Sequence, residues 1–132
     1  MKTIYLSLIA VLGLSLGINA QDINTSESSL TWHGGDVTGK KHYGGLSFKS
    51  GSITTSNGKL TGGAFEIDMT SIDVQDLEGE WAEKLEGHLK ADDFFGVDQF
   101  ATAYLVLTSV NESGDGSYAA TGDLTVRGIT QP

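Results

Sequence analysis

The chain has no cysteine, and its single proline among 132 residues is at position 132. Without cysteine there is no disulfide framework, no thiolate metal site and no thiol to carry a lipid anchor. A proline-rich spacer is likewise excluded. Basic residues are scarce: 8 Lys and Arg stand against 17 Asp and Glu, a formal charge of −9. Such a field opposes binding to phosphate backbones and to anionic lipid surfaces, and it favours solubility. After Leu16 no apolar run is long enough to cross a bilayer. Internal repeats and low-complexity tracts are absent as well.

The one sustained apolar run is at the start. Ile4 to Leu16 follows Lys2, and Ile18-Asn19-Ala20 precedes the polar stretch from Gln21 to Ser29. A positive n-region, a short h-region and a small residue before the cut are the marks of a secretory signal peptide. The expectation is therefore a leader over residues 1–20, export to the periplasm, and one mature domain over residues 21–132. Loss of Lys2 leaves 7 basic and 17 acidic residues, a charge of −10. Asn24-Thr25-Ser26 and Asn111-Glu112-Ser113 are glycosylation sequons, relevant only in a eukaryotic secretory route.

Glycine is abundant, at 18 residues. Gly44, Gly45, Gly62, Gly63, Gly122 and Gly128 fall in or beside strand-like segments, where glycine marks bends and bulges of a curling sheet. Period-two alternation predicts strands over 28–34, 42–48, 60–69, 101–110 and 118–128. Ile53 falls in a further short strand between turn signals at Ser50-Gly51 and Asn57-Gly58. The period changes at Leu77, Trp81, Leu85 and Leu89, which recur every four residues and define one helical stripe. Asp76 is the expected cap of that helix, and Asp92 the cap of a further short turn. Because Gly79 and Gly87 weaken the helix, it needs to bury the Trp81 stripe against the sheet. About six strands and one main helix result. The last strand offers an open edge over residues 121–129, suited to a partner chain or a second copy as a homodimer.

The residue chemistry is spare. His33, His42 and His88 have spacings that match no compact metal motif. Asp92 and Asp93 are adjacent and so point apart, which makes them a poor acid/base dyad. No nucleophile elbow or phosphate-cradling glycine loop occurs. No cofactor is expected. An enzyme working on a small apolar substrate would need an inward titratable group, and Tyr118 is the best candidate. The inward apolar positions are Leu46, Phe48, Phe65, Ile67, Leu105, Leu107, Leu124 and Val126, with Trp81, Leu85 and Leu89 from the helix and Phe94 and Phe95 after it. From periodicity alone these describe either a filled core or the wall of a ligand site.

Several segments together carry a resemblance: Ser29-Leu30-Thr31-Trp32-His33, Leu60 to Met69 with Ser71-Ile72, Leu89-Lys90-Ala91-Asp92-Asp93-Phe94-Phe95, and Gly122 to Thr130. The chain resembles the YceI-like family along essentially all of the expected mature domain. That resemblance implies a lipocalin-like, eight-stranded antiparallel β-barrel. It also implies a long polyisoprenoid or fatty-acyl lipid held in the lumen by the thirteen apolar residues named above, without catalysis. Two features depart from the family pattern. Phe100 is followed directly by Ala101, where a proline is usual. Family members also continue beyond the segment that here ends at Pro132, so the chain is expected to be a fragment covering about the first two-thirds of the domain.

Overall fold

The structure is a computed structural model, described over residues 17–132. It contains seven strands: β1 (Ile18–Asp22), β2 (Leu30–Gly35), β3 (Lys41–Ser56), β4 (Lys59–Asp68), β5 (Thr102–Gly114), β6 (Ser117–Val126) and β7 (Ile129–Gln131). A 3-10 turn (Met69–Ser71) and one helix, α1 (Glu80–Lys90), lie between β4 and β5. All pairings are antiparallel, in the order β1-β3-β4-β5-β6-β7, with β2 also on β3. The mainly β class expected from the alternation is therefore present, and the barrel-like fold implied by the resemblance appears as a curved antiparallel sheet that does not close among the described residues.

Three tight turns join β3 to β4, β5 to β6 and β6 to β7. Asn57-Gly58, Asp115-Gly116 and Arg127-Gly128 all have positive φ at both positions. That is the geometry of two-residue hairpin loops whose twist matches the strands they join. The third turn corrects the expected strand over 118–128. The strand stops at Val126, and Arg127-Gly128 turns it back so that β7 pairs with Leu124–Val126. The expected open edge is shortened accordingly.

The turn expected at Ser50-Gly51 is also corrected. β3 runs through it as a single strand of 16 residues. Phe48 pairs with Ile67 and Ser50 with Glu66, so Lys49 is an extra residue in a bulge. The bulge shifts the alternation by one, keeping Phe48 and Gly51 on the same inner face although their spacing is odd. A Cβ on Gly51 would lie 2.7 Å from the Phe65 ring. The missing side chain is what admits that ring.

The expected leader lies mostly outside the described residues. Its last three positions, Ile18 to Ala20, belong to β1, which pairs with residues 52–56 of β3. A cut between Ala20 and Gln21 would leave Gln21 and Asp22 of that strand.

Five of the seven buried apolar residues, Met69, Ile72, Val74, Leu89 and Val97, come from the β4–β5 connection rather than from the sheet. The other two are Ile67 and Ala103. This connection packs across one end of the inner face. Leu46 and Phe95 touch both clusters into which the core divides.

Two expectations about α1 are corrected. Trp81 is 70% exposed, and the buried face is carried by Leu89 with Ala82 and Leu85 beside it. Residues 81, 85 and 89 sit one above another, but a straight helix drifts relative to a four-residue spacing, so its N-terminal end leaves the sheet. Asp76 does not cap the helix, whose N-cap is Gly79 at φ 58°. Its carboxylate instead accepts from the Tyr43 N–H at 3.0 Å and meets His42 Nδ1 at 2.8 Å. No helical turn follows Asp92; Ala91 to Phe95 form hydrogen-bonded turns.

Candidate functional site: an apolar cavity under the helix

The site is built on a close crossing. The irregular segment following the 3-10 turn lies directly on Gly44 and Gly45 of β3. Asp73 N–H donates to the Gly45 carbonyl at 3.0 Å, Gln75 N–H to the Tyr43 carbonyl at 2.9 Å, and Gly45 N–H to the Asp73 carboxylate at 2.5 Å. Above Gly44 the Trp32 indole donates to the Asp73 carbonyl at 2.8 Å. A Cβ on Gly44 would lie 1.9 Å from that carbonyl oxygen. Glycine is therefore required here by the approach of another backbone, not by its own dihedral angles.

The crossing seats Ile72 and Val74 beneath α1, and Glu86 of the helix accepts from the Val74 N–H at 2.9 Å. Between this assembly and the β2–β3 ribbon is a cavity of about 280 Å³. Trp32, His33, Gly34 and Leu46 form its sheet side, Met69 and Ile72 its floor, and Leu89, Phe94 and Phe95 the opposite wall. The two phenylalanine rings meet edge to face at 4.7 Å. Phe94 is 44% exposed and stands at the mouth, whereas Phe95 packs into the core.

The mouth is held from a distance. Arg127, in the β6–β7 turn, donates to the Phe94 carbonyl at 2.6 Å and also to the Asp92 carbonyl. Its guanidinium lies 5.8 Å from the centre of the Phe100 ring. Two carbonyls that would otherwise point into solvent are thus joined to a turn some thirty residues away.

The thirteen residues singled out in the sequence divide by place. Leu46, Leu89, Phe94 and Phe95 meet at the cavity. Phe48, Ile67 and Val126 pack within the filled core. Phe65, Leu105 and Leu124 stand opposite one another on β4, β5 and β6, in an inner-face row that also carries Leu107, and Leu124 is 41% exposed. Trp81 and Leu85 line a separate groove between α1 and the β2–β3 hairpin. Trp32, His33, Gly34, Met69 and Ile72 are cavity residues outside those thirteen. Met69 and Ile72 lie where strand alternation ends and no helical stripe has begun.

His33 is the one ionisable residue in the cavity lining, and the carboxylates and lysines stay outside it. Tyr118 Oη accepts from the Leu60 N–H at 3.3 Å, beside the β3–β4 and β5–β6 hairpins. Burial pushes the Asp76 carboxyl up, but hydrogen bonds from the Tyr43 N–H, from His42 and from its own N–H outweigh this and hold it below its ordinary value. The Asp36 carboxyl is likewise lowered, chiefly by the Thr38 hydroxyl. No cluster of three metal-ligating side chains occurs among the described residues, and no described helix is long and apolar enough to cross a membrane.

Comparison with known proteins agrees with this architecture. The YceI-like domain model matches residues 22–132. A UPF0312 protein of Shewanella denitrificans is 33% identical over 92 residues, which is 67% of this chain and 48% of that protein. One from Vibrio campbellii is 27% identical over 138 residues, covering 99% of this chain and 70% of its own length. A third, from Shewanella oneidensis, is 26% identical over 126 residues, 96% of this chain and 64% of the relative. The chain spans about half the length of the first of these relatives. With a family match over nearly all the described residues, the chain belongs to the YceI-like domain family.

Proposed function

We propose that this protein is an exported, periplasmic, non-catalytic carrier or buffer that holds a long polyisoprenoid or fatty-acyl chain against its inner face. One observation carries the reading: a cavity of about 280 Å³ walled by aromatic and aliphatic side chains and one histidine, His33, with no carboxylate or ammonium in its lining. At about 30 Å³ per water, its volume equals that of roughly nine waters. That is room for the end of a chain, with the rest lying outside. Each buried methylene contributes about 0.8 kcal/mol, so ten would offset the ordering of a flexible lipid by about 8 kcal/mol. A ligand of this kind needs a dry slot of suitable width and few polar contacts.

The test is native mass spectrometry of the full-length protein purified from its host. A hydrophobic adduct that is released on denaturation is expected. Leu46→Trp, which fills the cavity from the sheet side, should remove it. Protein that is free of ligand and does not take up prenyl or acyl chains would refute the proposal.

A further inference from the structure

The core divides in a way that leaves α1 largely on its own. One buried cluster, Ile67, Met69, Val97 and Ala103, belongs to the sheet and the turns beside it. The other is Ile72, Val74 and Leu89. Of these, Ile72 and Val74 are strapped to β3 by the crossing, where Asp73 and Gln75 N–H donate to the Gly45 and Tyr43 carbonyls. Leu89 is the one buried residue that α1 itself supplies. Apart from the turn that follows it, the helix is joined to the rest of the chain by one hydrogen bond among the described residues, from Val74 N–H to the Glu86 carboxylate at 2.9 Å. Towards the β2–β3 hairpin it faces an open groove of about 600 Å³ rather than packed side chains.

The helix is also weak in itself. It has 11 residues, and isolated helices shorter than about 12–15 residues are marginal in water. Its N-cap, Gly79, offers no side-chain hydrogen bond to the free N–H groups of the first turn. Gly87 sits in its interior, where glycine is unfavourable. The Glu80–Lys84 pair at 2.8 Å is exposed on both sides and adds little. Burial of Leu89, with Leu85 and Ala82 beside it, is what keeps α1 helical.

We propose that α1 is a lid on the apolar cavity, which opens by local melting while the sheet, the Asp73 crossing and the Phe94-Phe95 turn stay folded. Melting withdraws Leu89 from the cavity wall and uncovers Ile72 in its floor. A helix this short does not survive lifting as a rigid body, so opening and loss of its hydrogen bonds are one event. The boundary on the C-terminal side is fixed. Arg127 holds the carbonyls of Asp92 and Phe94, and Phe95 packs against both core clusters. The boundary on the N-terminal side is Gly79, whose φ of 58° lets the chain leave the crossing at a sharp angle. The opening is a property of the empty chain; its use as the entrance for an occupant rests on the carrier reading.

Because the chain has no cysteine, a single introduced thiol reports on one position. Ile72 is 2% exposed and Ala103 1%, so neither position reacts in the closed structure, and labelling requires opening. Ile72→Cys and Ala103→Cys are made separately and labelled with dithiobis(nitrobenzoate) without ligand. Ile72→Cys should react at least about 100-fold faster and with a shallower urea dependence, since local melting exposes little surface. Adding Gly87→Ala, which strengthens the helix, should slow labelling of Ile72→Cys about two- to fivefold. Amide exchange of the unsubstituted protein is the second measurement, and it decides the matter if Ile72→Cys does not fold. The N–H groups of residues 84–90 should exchange at least about 100-fold faster than those of β4 and β5 where the two strands pair. Equal labelling rates with equal urea slopes, or α1 amides that exchange only together with the sheet, would overturn the lid. Neither measurement uses a ligand, so a failed lid leaves the carrier reading standing, and a failed carrier leaves the lid.

Discussion

Gly44→Ala probes the crossing on which the cavity depends. The added Cβ would sit 1.9 Å from the Asp73 carbonyl oxygen and 2.8 Å from Trp32 Nε1, where ordinary contacts begin near 3.4 Å. Relief requires the Asp73 segment to rise by more than an ångström. That movement breaks the Trp32 indole bond and strains the Asp73–Gly45 pair, which together fasten Ile72 and Val74 under the helix. Overpacking costs about 1–3 kcal/mol, and the lost hydrogen bond about 1 more. The expected destabilisation is therefore about 2–4 kcal/mol, a large share of a small domain's stability. Urea unfolding followed by tryptophan fluorescence reads it directly. Gly87→Ala is the control: nothing lies within 4 Å of its Cβ, and it sits inside α1. It should stabilise by about 0.5–1 kcal/mol. If Gly44→Ala unfolded within about 0.5 kcal/mol of the parent, the crossing would not be the constraint argued here.

Three further outcomes are expected. Leu89→Ala removes a buried side chain and should cost about 2–5 kcal/mol, whereas Trp81→Ala should stay within about 0.5 kcal/mol of the parent; thermal melts that rank them the other way would contradict the orientation of α1. The Asp76 carboxyl is held below its ordinary value of 3.8, so its contribution is present above that pH and is lost as pH falls through the lower folded-state value. Asp76→Asn should accordingly flatten the stability loss below about pH 4, and an unchanged acid limb in pH-dependent unfolding would refute the assignment. Arg127→Ala should speed hydrogen exchange at the N–H groups of residues 94–97 and leave β3 and β4 unchanged, because it frees the carbonyls of Asp92 and Phe94.

The sequence by itself determined the class of this protein. Alternation with glycine-rich breaks specified a curved antiparallel sheet, Asn57-Gly58 specified its hairpin, and the segments at 60–72, 89–95 and 122–130 specified the family. Each is a local property, a side-chain period or a turn chemistry that neighbouring residues decide among themselves. The helical stripe was legible for the same reason, but its orientation was not. Only packing shows that Leu89 is buried while Trp81 faces water, since a four-residue repeat leaves open which end of a helix meets the sheet. The bulge at Lys49 and the role of Asp76 likewise depend on partners more than fifteen residues away. The cavity belongs wholly to tertiary structure. Its walls come from β2, β3, the 3-10 turn, α1 and the Phe94-Phe95 turn, and its volume is set by how closely Asp73 can approach a strand position that has no side chain. Periodicity can sort residues into inward and outward, but whether an inward residue fills a core or borders a space is decided by what the rest of the chain places opposite it.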